Sequence, residues 1–194
     1  MEGNQTHRRV RSGRVGSSTS GWMAIWIACS FPACTTPPST GTLVEVSALV
    51  QLADGSALTV DHTCHGPGHS PPLGWSADAL PAGTTHLAWL VRSPSGVSWA
   101  AWDAPIDLDG LPGHFPAAHA PPLQGGNHAG RVGWAPPCPP RGGDPIEGAV
   151  EVVAWALPEP LAAPPTIAVP HLLDRLSRHA IARSSSRLDL HTSP

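Results

Sequence analysis

The stretch His86-Leu-Ala-Trp-Leu-Val91, followed by Ser93-Pro-Ser-Gly96 and then Val97-Ser-Trp-Ala-Ala-Trp102, decides the fold class. After His86 the first run is apolar at every position, and turn residues bound it on both sides: Pro81-Ala-Gly83 before, Ser93-Pro-Ser-Gly96 after. An uninterrupted apolar run of that length between turn signals reads as a strand buried on both faces. Val97 to Trp102 reads as a second strand, and Ala149-Val-Glu-Val-Val-Ala-Trp-Ala-Leu157 as a third. Pro158 ends the third, because a proline cannot join a hydrogen-bonded ladder from the strand interior.

Working outward, Leu43 to Leu52 reads as a strand stopped by Asp54-Gly55, a hairpin-type turn signal, with Ala57 to Val60 as a short partner. Ser186-Arg-Leu-Asp-Leu190 reads as a last strand. Only Ile167 to Ala182 has helical spacing: Leu172, Leu173, Leu176, His179, Ala180 and Ile181 share one side, with Asp174, Arg175 and Arg178 among the polar positions. His179 is expected to pack there and hydrogen-bond to backbone. No repeat of fixed period is visible. The 24 prolines lower the expected helix content, and the eight tryptophans argue for a packed core rather than a disordered chain.

All 11 basic residues are arginine, against 14 acidic residues, for a formal charge of -3. With tyrosine absent, this composition fits the codon bias of a GC-rich, bacterial genome. The charge balance excludes a nucleic-acid-binding surface, which needs a clustered basic face to neutralise phosphates. The one basic cluster is Arg8, Arg9, Arg11 and Arg14. It precedes an apolar run from Trp22 to Cys34 that has the length of a signal-peptide core and is too short for a bilayer span, which takes ~20 residues. Residues 1–34 are therefore expected to be an export signal, 35–42 a flexible linker, and 43–191 the folded domain. Phe31-Pro-Ala-Cys34 resembles a bacterial lipoprotein processing site, which makes Cys34 the lipidation candidate and a lipid anchor the route to a membrane.

Six short motifs then occur in a fixed order. They are Thr63-Cys-His-Gly66 with Ser70-Pro-Pro-Leu-Gly-Trp75, Leu80-Pro-Ala-Gly-Thr84, Trp99-Ala-Ala-Trp-Asp-Ala-Pro105, and Gly126-Asn-His-Ala-Gly130 with Gly133-Trp-Ala-Pro-Pro-Cys-Pro-Pro140. Trp155-Ala-Leu157 and Arg178-His-Ala-Ile-Ala182 complete the series. Together they resemble the phosphatidylethanolamine-binding, or Raf-kinase-inhibitor-like, family. The resemblance implies a mostly β fold: an antiparallel large central sheet, a smaller second sheet, and peripheral helices including one at the C-terminal end. It also implies a small pocket at one end of the sheet that takes an anionic group such as a phosphate head group.

The side chains that line that pocket in the family have departed here. Family members carry an Asp-Pro-Asp-Ala-Pro loop, a His before the paired Trp, and a His-Arg-Tyr entering a later strand. This chain has Ser93-Pro94-Ser95 in the loop, which is also several residues shorter, Ser98 at the first His, and Gly148 at about the second. Serine is neutral and short where imidazole can donate to an anion and carry charge. By resemblance the pocket residues are Ser93, Pro94, Ser95, Ser98, Trp99, Trp134, Cys138 and Gly148, with Trp99 and Trp134 as walls and the Cys138 amide as a remaining donor. A pocket with so few convergent polar groups suits a small neutral ligand, or a weakly bound anion. Cys64 and Cys138, which the resemblance places in neighbouring loops, are a candidate disulfide in an exported protein.

The same chain offers rival chemistries. Asp61-His-Thr-Cys-His-Gly-Pro-Gly-His69 could ligate zinc or copper through His62, Cys64, His65 and His69, although it lacks paired cysteine spacing. No Gly-x-Ser-x-Gly elbow accompanies the serines, so no hydrolase is expected. Asn127 and His128 lie in a Gly-rich loop, where a turn role is expected. The reading is a non-enzymatic, exported small-ligand-binding or scaffold domain without a cofactor; the alternative is a periplasmic metal-binding protein.

Overall fold

The continuous apolar runs form strands because sheet faces on both sides of them are covered. In the computed structural model, described for residues 43–53, 57–108, 110–118, 120–140 and 146–191, the elements follow in chain order. They are β1 (Val44–Glu45), β2 (Gln51–Leu52), β3 (Ala57–Leu58), β4 (Leu73–Gly74), β5 (His86–Ser93), β6 (Gly96–Pro105), β7 (Gly110–Leu111), β8 (Leu123–Gln124), β9 (Ile146–Leu157), α1 (Val169–His179) and β10 (Ala182–Leu190). The expected export signal and linker, with Cys34, lie outside the described residues.

A seven-stranded sheet runs in the order β1-β10-β9-β5-β6-β8, with β3 pairing β10 beside β1. The ladders among β10, β9, β5, β6 and β8 are antiparallel, as expected. The two short strands β1 and β3 join β10 in parallel, so the sheet as a whole is mixed. A smaller antiparallel sheet, β2-β4-β7, lies apart from it.

Alternation along β5 assigns its side chains to two cores. Leu87, Trp89 and Val91 join Leu52, Leu73 and Leu111 of the small sheet in one cluster. Ala88 and Leu90 join Leu161, Leu172 and Leu176 in the other, beneath α1. The small sheet thus covers one face of the large sheet and the helix covers the other, which is why β5 carries no polar alternation.

Three expectations are corrected. Leu43–Leu52 is not one strand: β1 pairs β10 in the large sheet, while β2 pairs β4 in the small one. The chain crosses between sheets inside that segment, with the Leu49 amide bonded to Ser184 Oγ at 3.0 Å. No hairpin joins β2 to β3, since each pairs elsewhere; Asp54 and Gly55 lie outside the described residues. His179 is exposed rather than packed, because α1 ends there and the chain turns directly into β10. The helix begins at Val169 with Pro170 in its first turn, where a missing N–H costs nothing.

One bulge was not expected. Leu87 faces Ala104 and Trp89 faces Ala101, so β6 carries an extra residue between them. Asp103 sits in that irregularity at φ 58°, and its carboxylate accepts from the amides of Leu161 at 2.6 Å and Ala162 at 3.0 Å. This fastens the segment after β9 to the sheet.

Candidate functional site

The turn between β5 and β6 is short: Ser93 pairs with Gly96, leaving Pro94 and Ser95 at the tip. Gly96 has φ 117°, a conformation that side chains rarely adopt and glycine adopts freely. Ser98 Oγ donates to Ser93 Oγ at 3.0 Å, and the Ser95 amide donates to the same Ser93 oxygen at 3.3 Å. The serines that stand at family carboxylate and imidazole positions therefore satisfy one another inside the turn.

Beside this tip runs the strap Pro136-Pro-Cys-Pro-Pro140. It is tied to the loop after β3 three times: the Cys64 amide donates to the Pro137 carbonyl at 3.0 Å, His65 Nε2 lies 2.6 Å from the Pro139 carbonyl oxygen, and Cys64 is disulfide-bonded to Cys138 with Cα atoms 5.0 Å apart. Proline has no N–H, so within these five residues only Cys138 carries a backbone donor. The strap offers carbonyls and ring methylenes, which is poor chemistry for an anion.

Turn and strap enclose a cleft of about 140 Å³ lined by Pro94, Ser95, Pro137, Cys138, Pro139, Pro140, Ile146 and Leu190. Ile146 opens β9 and Leu190 closes β10, where the two face each other in the ladder. No charged side chain lines this cleft among the described residues.

The expected pocket residues are divided by this geometry. Pro94, Ser95 and Cys138 line the cleft; Ser93 and Ser98 hold the turn that forms one side of it. Trp99 is not a wall. It is wholly buried in the core, donates from Nε1 to Gln124 Oε1 at 2.8 Å, and meets Trp134 edge-on with ring centroids 6.0 Å apart. Trp134 likewise packs on the core cluster rather than the cleft. Gly148 is also outside the lining: it has φ 58° and donates its amide to Asp189 Oδ1 at 2.9 Å where the β9–β10 register shifts. Sequence reasoning missed Ile146 and Leu190 as lining residues. Both are ordinary apolar strand residues, and only the pairing of two strand ends brings them to the cleft.

The four expected metal ligands do not converge as a set; only the neighbours Cys64 and His65 lie together, with Sγ 3.6 Å from Nδ1. His62 is buried, with Nδ1 3.1 Å from the His69 carbonyl oxygen, and the His69 ring stacks on His114 with centroids 3.0 Å apart. Burial, then the neighbouring charges of His114 and His62, lower the His69 pKa, and Asp61 opposes that shift. Cys64 is already bonded to Cys138 and presents no thiolate. Asn127 does serve its loop, as expected: Oδ1 accepts from the amides of Ala129 and Arg131.

The chain is thus a two-sheet β domain with a cleft where a hairpin tip, a proline strap and two strand ends meet. The model of the phosphatidylethanolamine-binding protein family matches residues 50–185, and the chain belongs to that family. A UPF0098 protein of Methanothermobacter thermautotrophicus is 36% identical over 97 residues, 46% of this chain and 63% of that protein. LppC of Mycobacterium tuberculosis, a candidate lipoprotein by its name, is 34% identical over 122 residues, 59% of this chain and 56% of that protein. The chain thus spans between 56% and 63% of the length of these curated relatives. Among solved structures, YbcL of Escherichia coli, described as a new member of the mammalian family, superposes with a TM-score of 0.62 at 24% identity, covering 76% of this chain and 100% of that one. A candidate family homologue of Chlamydia trachomatis gives 0.59 at 24% identity, covering 74% and 95%. Both likenesses are of fold. No helix among the described residues is long and apolar enough to cross a membrane.

Proposed function

We propose that this chain is a non-enzymatic, exported binding domain whose cleft takes a small neutral, apolar group and has given up the phosphate head group. The observation that carries this reading is the lining: four prolines, Ile146, Leu190 and the disulfide-bonded Cys138, with the Ser95 hydroxyl as the one side-chain hydrogen-bonding group among the described residues. A cleft of about 140 Å³ has the size of an apolar protein cavity of about 150 Å³ that accepts benzene or xenon. Among the described residues no cationic side chain lines the cleft to offset the cost of desolvating a phosphate there.

Export is supported by the signal-like Trp22–Cys34 run, by the lipoprotein name of LppC, and by a disulfide that suits an oxidising compartment. A lipid on Cys34 would then tether the domain to a membrane. Accumulation of precursor in cells treated with globomycin tests the anchor, and a soluble product with its N-terminus intact rejects it.

The ligand reading is tested by titration, monitored through backbone amide NMR shifts. Benzene or cyclohexanol is expected to shift Ser95, Cys138, Ile146 and Leu190, with phosphorylethanolamine and inorganic phosphate giving no saturable change. Micromolar binding of either phosphate compound overturns the proposal.

A further inference from the structure

The Cys64–Cys138 disulfide is an electrophile set at the wall of an apolar cleft. Cys138 belongs to the lining and Cys64 does not, although the two are bonded with Cα atoms 5.0 Å apart. The cleft therefore lies on the Cys138 side of the sulfur–sulfur bond. Both cysteines are exposed, and an exposed disulfide is the kind that exchanges with thiols, whereas one sealed in a core is out of their reach. The rest of the lining is four prolines, Ile146, Leu190 and Ser95, with no charged side chain among the described residues.

We infer that this cleft is a covalent capture site for a small apolar thiol, joined to the chain by exchange at Cys138. Such capture presupposes that the cleft accepts apolar groups, as proposed above, and adds the bond that keeps one there. The thiol gives its proton to solvent, and its thiolate attacks Cys138 Sγ. The bond to Cys64 breaks as the bond to the ligand sulfur forms. Cys64 leaves as a thiolate and takes a proton from solvent. One thiol is consumed and one is released, so the ligand is the only co-reactant.

Exchange proceeds by attack of a thiolate on one sulfur with the other as leaving group, and access decides which sulfur is attacked. A ligand seated in the cleft reaches Cys138, which makes Cys64 the leaving sulfur. Burial disfavours a charged thiolate, so the reacting sulfur has to stay at the rim while its apolar part is buried. Cys138 meets that demand because it both lines the cleft and is exposed. A volume of about 140 Å³ gives room for a single six-membered ring, the size class of a cavity that accepts benzene. A thiol carrying a sulfonate or a carboxylate is selected against, since among the described residues no cationic side chain lines the cleft to offset the desolvation of its charge.

The test uses the full oxidised chain and two thiols of similar acidity, phenylmethanethiol and 2-mercaptoethanesulfonate. Early time points are quenched with acid, the freed cysteine is alkylated with N-ethylmaleimide, and the peptides are mapped by mass spectrometry. Phenylmethanethiol is expected to exchange roughly tenfold faster or more, a small part of what seating a reactant beside its target can supply. The ligand is expected on Cys138 and the maleimide on Cys64. Saturating benzene is expected to slow phenylmethanethiol to the rate of the sulfonate and to leave the sulfonate unchanged. Equal rates for the two thiols, ligand chiefly on Cys64, or exchange indifferent to benzene that binds each overturns capture at Cys138 while the apolar cleft stands. Absence of saturable amide shifts with benzene removes the apolar cleft, and capture with it.

Discussion

Cys64 and Cys138 are 74 positions apart in the chain and are bonded with their Cα atoms 5.0 Å apart, and the Cys64 amide also donates to the carbonyl of Pro137, the residue before Cys138. The covalent tie and the hydrogen bond act on the same two segments, so the proline strap is positioned by the loop after β3 rather than by a ladder. The strap so held forms one wall of the cleft.

Replacing the pair, as Cys64→Ser with Cys138→Ser, removes a constraint on a loop of 74 residues in the unfolded chain. The expected loss is about 2–4 kcal/mol, read as a lower urea midpoint with unchanged slope. Wild type treated with reductant is expected to show a similar loss.

Asp103 is buried and its two carboxylate oxygens accept from Leu161 and Ala162. Asp103→Ala leaves those two amides without acceptors and should cost about 2–3 kcal/mol. Asp103→Asn is expected to cost less, since asparagine tolerates a positive φ and keeps one acceptor oxygen. Urea denaturation of the two variants side by side gives the comparison.

Leu190 is fully buried at the end of β10 and closes the cleft. Leu190→Ala should destabilise the domain by about 2–5 kcal/mol and enlarge the cleft. A larger apolar probe such as toluene is then expected to bind better than benzene in the same NMR titration.

Gly148 holds φ 58° where β9 and β10 shift register. A side chain there is strained by the backbone whatever space is available, at about 1 kcal/mol for alanine. Gly148→His should therefore lose stability without gaining affinity for phosphate, because this position does not line the cleft.

The His69 pKa is lowered from its ordinary value by burial first, then by His114 and His62. A histidine whose folded pKa lies below the unfolded one favours folding while neutral, so its contribution is complete above about pH 6.5 and is lost as pH falls from there toward the folded value. Urea midpoints taken from about pH 7.5 down to about pH 5 should decline, and His114→Ala should flatten the decline. Equal slopes for wild type and variant would remove His69 as the cause.

Some elements carry their own signal in the residues that form them. Residues 87–91 and 152–157 are apolar run-on segments because both faces of their strands are covered, and that demand is written into every position. Leu172 and Leu176 are four apart because they face one sheet from one helix, so α1 was legible. The segment 43–52 was not, since two strands of two residues each obey no period long enough to read, and only the partners β10 and β4 separate them. Family motifs likewise reported loop geometry and core packing: Trp99 belongs to that set, and its indole is spent on Gln124. Tertiary structure alone decided the cleft. Its lining comes from residues 94–95, 137–140, 146 and 190, segments whose chemistry is unremarkable singly. A pocket is a property of where separate segments end, and an apolar strand terminus looks the same in sequence whether it faces a core or an opening.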